Sequence, residues 1–139
     1  MPQRPSAISL MLCDQVAFEQ GTQKPFLLGV FTGVAADGFP TLPQRFDVFA
    51  ALTDGQGKVT MTLTVVHLES NQEVYSQGMI VKFPDPLRVV NLRFRVRQLQ
   101  YTVPGTYLFS LTVVEKEHGK ETNVEIAARR VRVYEAGGS

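Results

Sequence analysis

A chain of 139 residues, 44% hydrophobic and 19% charged, suffices for one domain around one core and has neither a disordered nor a fibrous composition. Its formal net charge of +1 provides no strong field to steer it onto nucleic acid or an anionic membrane, which disfavours both as partners. The one cysteine, Cys13, has no internal disulfide partner, and no run of about 18 apolar residues exists to cross a bilayer.

The opening MPQRPSAISLMLCDQ has one basic residue and only a short apolar stretch before Asp14. It lacks the long apolar run and small-residue cleavage site of a secretory leader. With the lone thiol, this points to a reducing, cytoplasmic setting.

Along the chain, apolar residues recur with period two rather than 3.6. A first strand is expected from Ile8 to Phe18, and the nearly continuous apolar run FLLGVFTGV, Phe26 to Val34, reads as a central strand covered on both faces. The proline-punctuated FPTLPQ loop precedes a strand from Phe46 to Leu52. Asp54-Gly55-Gln56-Gly57 is a turn signal that suggests a hairpin into Lys58 to Leu68, where Val59, Met61, Leu63 and Val65 share a face. Glu73 to Phe83 forms another strand, closed by Pro84-Asp85-Pro86.

Leu87 to Leu99 alternates most regularly, with Val90, Leu92, Phe94 and Val96 inward and Arg93, Arg95 and Arg97 outward. Pro104-Gly105 then turns into a strand carrying Tyr107, Phe109, Leu111 and Val113 on one face. The last segment, Asn123 to Tyr134, contains helix formers around Ala127, but Val131 to Tyr134 alternates, which favours a strand bulged near Arg129. A Gly-Gly-Ser tail follows.

The expected fold is all-β: a two-sheet immunoglobulin-like or fibronectin-like sandwich of about eight antiparallel strands, forming a single domain over residues 1–139. In such sandwiches a tyrosine after the corner ties its hydroxyl to nearby backbone. Tyr107 fits that role and Tyr101 is the second candidate. Without a cysteine pair or tryptophan, an antibody-type domain is excluded.

LCDQV at Leu12 to Val16, LLGVFTGV at Leu27 to Val34, Phe39-Pro40, FDVFAAL and PGTYLFSL at Pro104 to Leu111 together resemble a family of small uncharacterised bacterial proteins, a domain of unknown function. The resemblance spans nearly the whole chain and implies a sandwich-like, cytoplasmic bacterial protein. The family has no assigned activity, so no site residue carries over. The segment EKEHGKETN departs from the pattern in length and charge.

Candidate chemistry is sparse. A metal site would need His67, His118 and Cys13 to converge, whereas both histidines read as solvated, one at a strand end and one in a polar turn. Cys13, opposite Leu10 and Leu12, lacks the glycine elbow of a nucleophile and reads as packing. Asp47, Asp54, Glu69 and Asp85 read as strand-end and turn residues rather than paired catalytic carboxylates.

Asp14 is less ordinary, because alternation puts it on the apolar face between Leu12 and Val16. A bulge turning it outward, backbone N–H donors, or an arginine such as Arg4, Arg45 or Arg88 would each relieve that cost; a ligand contact is the functional alternative.

Arg93, Arg95 and Arg97 form a basic stripe, with Arg130 and Arg132 a second one expected on the opposite sheet. Without interleaved exposed aromatics they read as a face for acidic residues or a protein partner rather than for nucleic acid. Carbohydrate stacking would fall to Tyr75 and Tyr134 alone.

The expected function is a non-catalytic interaction or scaffold module, with no cofactor and no metal, that binds a protein partner or itself. Strand edges and sheet faces would do the binding, Ile8–Phe18 and Asn123–Tyr134 being the expected edges. Alternatives are a small-molecule binder with its ligand between the sheets or in a barrel mouth, and a structural component of a larger assembly. The first requires that Phe26, Phe31, Phe46, Phe49, Phe94, Tyr107 and Phe109 line a void rather than fill the core.

Overall fold

The computed structural model describes residues 3–137, so the last two residues of the Gly-Gly-Ser tail lie outside the described residues. The period-two segments become nine strands: β1 (Ser6–Phe18), β2 (Pro25–Phe31), β3 (Gly33–Ala36), β4 (Gln44–Thr53), β5 (Gly57–His67), β6 (Gln72–Phe83), β7 (Val90–Leu99), β8 (Gly105–Glu117) and β9 (Lys120–Glu135). They make two packed sheets, a four-stranded one in the order β2-β1-β4-β7 and a five-stranded one in the order β3-β9-β8-β5-β6. No helix among the described residues is long and apolar enough to cross a membrane.

The expected inward faces form the core. Val48, Leu52, Phe94 and Val96 of one sheet are buried with Met61, Leu63, Val65, Phe109 and Leu111 of the other. Ring edges interlock along it, Phe31 on Phe46 at 5.6 Å and Phe46 on Phe109 at 5.9 Å, an arrangement favoured over face-to-face stacking. Phe31, Phe46, Phe94, Tyr107 and Phe109 thus fill the interior or flank it, and Phe49 is buried in a second cluster, as the aromatic pattern implies. Phe26 does not take part, because it stands 50% exposed on an edge strand.

The Pro104-Gly105 corner carries the chain from β7 in one sheet to β8 in the other. There the Tyr107 hydroxyl donates to the Val103 carbonyl at 2.5 Å, the backbone tie expected of it. The two arginine stripes, on β7 and β9, consequently lie on different sheets.

Several local expectations are corrected. The run Phe26 to Val34 is two strands in different sheets: it leaves β2 at Phe31 and enters β3 at Gly33, where β3 pairs parallel with Arg132–Glu135 of β9. An apolar run without alternation cannot distinguish a doubly covered strand from an edge strand that crosses over, and here it is the latter. The Asp54–Gly57 turn joins β4 to β5 across the sandwich rather than closing a hairpin. Glu125 to Val133 is strand, and its irregularity falls at Ile126, between the pairs Leu111–Ala127 and Thr112–Glu125, rather than near Arg129.

The two expected edge strands are each covered in part. β2 pairs with β1 only from Leu12 to Phe18, and β3 with β9 only from Arg132 to Glu135. Among the described residues, Ser6–Met11 and Lys120–Val131 therefore keep one side without a paired strand, and Arg129 bridges the gap between them by donating to the Leu10 carbonyl at 2.8 Å.

Candidate functional site

β1 pairs with β4 as far as Cys13 opposite Asp47, and beyond that only with β2, from Gln15–Leu28 to Phe18–Pro25. This distal arm of β1 and β2 turns over the outer face of the four-stranded sheet. Alternation breaks at Asp14 and Gln15, so that Cys13 and Val16, three residues apart, are buried in one cluster with Phe49 and Ala51, flanked by Phe18 and Leu27. The turn occurs opposite Gly29, whose φ of 69° lies where only glycine rests without strain. A Cβ there would also collide with the Asp14 carboxylate.

Having left β4, Val16 finds side-chain partners for both main-chain groups. Its N–H donates to Asp47 Oδ2 at 2.8 Å, and its carbonyl accepts from Arg93 Nη1 at 3.1 Å. The Arg93 guanidinium also lies 5.6 Å from the Phe18 ring centre, within cation–π reach. Asp47 is 2% exposed, not a turn residue, and its other oxygen faces Arg97 Nη1 at 3.4 Å. The Cys13 thiol, buried under the arm, is pushed up first by burial and then by the charge on Asp47.

The proposed Arg93, Arg95 and Arg97 face is therefore largely engaged within the molecule. Arg93 clamps the arm, Arg97, itself exposed, reaches Asp47 and the carbonyls of Phe46 and Val96, and of the three only Arg95 makes no side-chain hydrogen bond or ion pair among the described residues.

On its other face, the arm presents Phe26 and Leu28, 50% and 53% exposed, while Val30, 48% exposed, stands beyond the turn at Gly29. Alternate positions of one strand share a face, so Phe26 and Leu28, both before Gly29, lie side by side. β2, with the sequence PFLLGVF, contains no charged residue.

Where the arm leaves the sandwich, an open cleft of about 420 Å³ lies between the β2–β3 crossover and the start of β4. Asp14 and Arg45 line it and are exposed; Asp14 turns outward at the bend opposite Gly29, without the register shift of a bulge between β1 and β2. Neither forms an ion pair among the described residues, and Arg4, another partner considered for Asp14, pairs with Glu115 at 2.7 Å instead.

Tyr101 also lines the cleft. It is fully buried against Tyr107, with ring centres 4.8 Å apart, and its hydroxyl has no hydrogen-bond partner among the described residues. An orphaned buried hydroxyl costs about 1–3 kcal/mol that phenylalanine would not incur. Burial pushes its ionisation far above the ordinary tyrosine range, so it remains a neutral donor.

The histidines and Cys13 are not brought together. His118 sits in the β8–β9 turn, whereas His67 pairs with Tyr107 near the start of β8, about 35 Å away along the strand. His67 is not solvated as expected. It is 7% exposed and packs against the Tyr107 ring at 5.0 Å.

Its Nδ1 meets Ser70 Oγ at 2.7 Å and the Ser70 N–H at 3.3 Å, while Nε2 faces the Pro104 carbonyl and Glu69 Oε1, both at 3.2 Å. That pattern fits a neutral ring carrying its proton on Nε2. Glu69 accepts the Thr106 N–H at 3.0 Å, the main cause of its lowered pKa. By type these are a nucleophile, a base and an acid, but their bonds close the β5–β6 turn and pin it to the Pro104-Gly105 corner.

Sequence reasoning missed Asp47 and Tyr101. A usable signal existed for Asp47, because FDVFAAL is apolar at both parities, so its one acid had to be buried. Nothing local distinguishes Tyr101.

A model of the family of unknown function DUF6941 matches residues 8–126. Among solved structures, the C-terminal domain of wzt is similar, with a TM-score of 0.51 and 13% identity over 97% of this chain and 81% of that one. At that identity the likeness is one of fold. No curated protein matches.

Proposed function

The chain belongs to the family of unknown function DUF6941, and we propose that it is a non-catalytic recognition module that holds a protein partner against its β1–β2 arm. The exposed apolar side chains that β2 carries, Phe26, Leu28 and Val30, support this reading. Exposed apolar side chains scattered singly are ordinary, whereas three within five residues of one supported edge strand mark an interaction surface. The support is built in, because Asp47 and Arg93 secure the main chain of Val16 behind it, which lowers the ordering cost of binding.

Edge strands are commonly blunted by charge, as β7 is by its three arginines and β6 by Glu73 and Lys82. β2 has no such residue. Its simplest partner is a second copy: antiparallel pairing about Leu28 would set Phe26 opposite Val30 in a closed two-fold contact. Interlocking of Phe31, Phe46 and Phe109 speaks against a ligand held between the sheets. The buried free thiol of Cys13 supports a reducing, cytoplasmic setting.

Leu28→Glu tests the reading, with Arg95→Glu as the control on β7, at the opposite edge of the sheet. Sedimentation of the wild type at high micromolar concentration should give a dimer that Leu28→Glu dissolves and Arg95→Glu leaves intact. Failing a dimer, proteins captured from the native cell should be lost with the first variant and kept with the second. A monomer whose captured proteins are the same for the wild type and Leu28→Glu would overturn the proposal.

A further inference from the structure

The cleft at the base of the arm meets the exposed side chains of β2 only at Val30, and its chemistry differs. At about 420 Å³ it falls within the size range of small-molecule sites. Asp14 and Arg45, opposite charges lining one cleft, do not close on each other. Phe31 and Phe46, in edge-to-face contact, supply an apolar floor.

Tyr101 contributes an independent observation. Of two tyrosines in ring contact, Tyr107 has its hydroxyl bonded to Val103, while that of Tyr101 is buried beneath the cleft without a partner. An unpaired buried donor in a native core calls for an acceptor that the folded chain does not itself supply. Gly29 adds to the picture: a side chain there would collide with the Asp14 carboxylate and displace it.

We propose that this cleft binds a small zwitterion of the α-amino-acid or dipeptide class, its ammonium group against Asp14, its carboxylate against Arg45 and its side chain over Phe31 and Phe46. The Tyr101 hydroxyl is closed to solvent in the free chain, and a shift of the cleft floor on binding gives it a ligand atom or a trapped water as acceptor. Each charged group alone is too exposed to bind tightly, so recognition depends on both ends being engaged at once. Free amines or free acids of the same size bind more weakly for that reason.

Titration of the isotope-labelled chain, followed by backbone amide shifts, tests this with L-phenylalanine and glycyl-L-phenylalanine as probes. N-acetyl-L-phenylalanine, lacking the ammonium group, and L-phenylalanine amide, lacking the carboxylate, are the comparisons. Saturable shifts should appear at Asp14, Gly29 to Ala35 and Arg45, and each comparison compound should bind about tenfold or more weakly, the scale of one charge-assisted contact.

Asp14→Asn should weaken L-phenylalanine but not its N-acetyl form, and Arg45→Gln should weaken L-phenylalanine but not its amide. Both residues are exposed, so the fold is expected to survive either change. Tyr101→Phe should fold normally and bind less well. The absence of saturable shifts with both zwitterions would overturn the proposal, as would comparison compounds that bind equally well or shifts centred away from the cleft.

Discussion

Replacing Asp47 with alanine should unlatch the β1–β2 arm, and the size of the effect follows from what the carboxylate touches. The change strands the Val16 N–H, a donor whose strand partner is already lost, and removes a charge-assisted bond of 2.8 Å. Together these should cost about 2–3 kcal/mol. The contact with Arg97 adds less than about 1 kcal/mol, since it is long at 3.4 Å and the guanidinium side chain is 44% exposed.

For a chain of this length a loss of 1 kcal/mol lowers the melting temperature by about 3 °C, so Asp47→Ala should melt about 6–9 °C lower. Asp47→Asn, which keeps an oxygen acceptor, should lose about 1 kcal/mol, and Arg97→Ala no more than that. Urea titrations with unchanged m-values measure the differences, and amide exchange at Val16 should accelerate selectively in Asp47→Ala. The reasoning is refuted if Arg97→Ala is as damaging as Asp47→Ala, or if Asp47→Ala stays within about 0.5 kcal/mol of the wild type.

Tyr107→Phe should lose about 1 kcal/mol in the same titrations, because the Val103 carbonyl loses its hydroxyl donor at the corner. Gly29→Ala should cost about 1–2 kcal/mol through its positive φ and the collision with Asp14, and adding Asp14→Ala should restore only the second part. The raised Cys13 pKa means that the folded chain holds the thiol proton above the ordinary range. Its stability contribution is full below that range and falls as pH rises through it, a decline that Cys13→Ala should flatten in denaturation measured up to about pH 10. Native Cys13 should also react with a maleimide only as fast as the arm opens.

The parts of the fold that were legible in the sequence are those where alternation and turn chemistry coincide. Arg93 to Arg97 alternates with Leu92, Phe94 and Val96, and Pro104-Gly105 precedes Tyr107, so the position of β7, the change of sheet and the hydroxyl tie all follow from local rules. That Asp14 needed relief was also readable, as a charge at an apolar position; which of an outward turn, backbone donors or an arginine supplied it was not.

The arm was not. Whether Phe26, Leu28 and Val30 meet a second layer depends on where Gly29 aims the strand and on Asp47 and Arg93, 18 and 64 residues further along the chain. His67 was misread for a similar reason: the groups that bury and bond it come partly from Tyr107 and Pro104, which no period in the sequence connects to it.

One feature of the topology has a mechanical consequence. The beginning of β1 lies by the β8–β9 turn, where Arg4 pairs with Glu115, while the end of β9 lies at the opposite pole beside Gly105 and β3. Tension applied through Ser6 and Glu135 would pull β1 lengthwise along β4, and β9 lengthwise between β8 and β3. The ladder bonds would then be loaded in shear, many at once, instead of peeling one after another. Such a module is built to withstand stretching along its long axis far better than a pull that unzips β6 or β7 from the side.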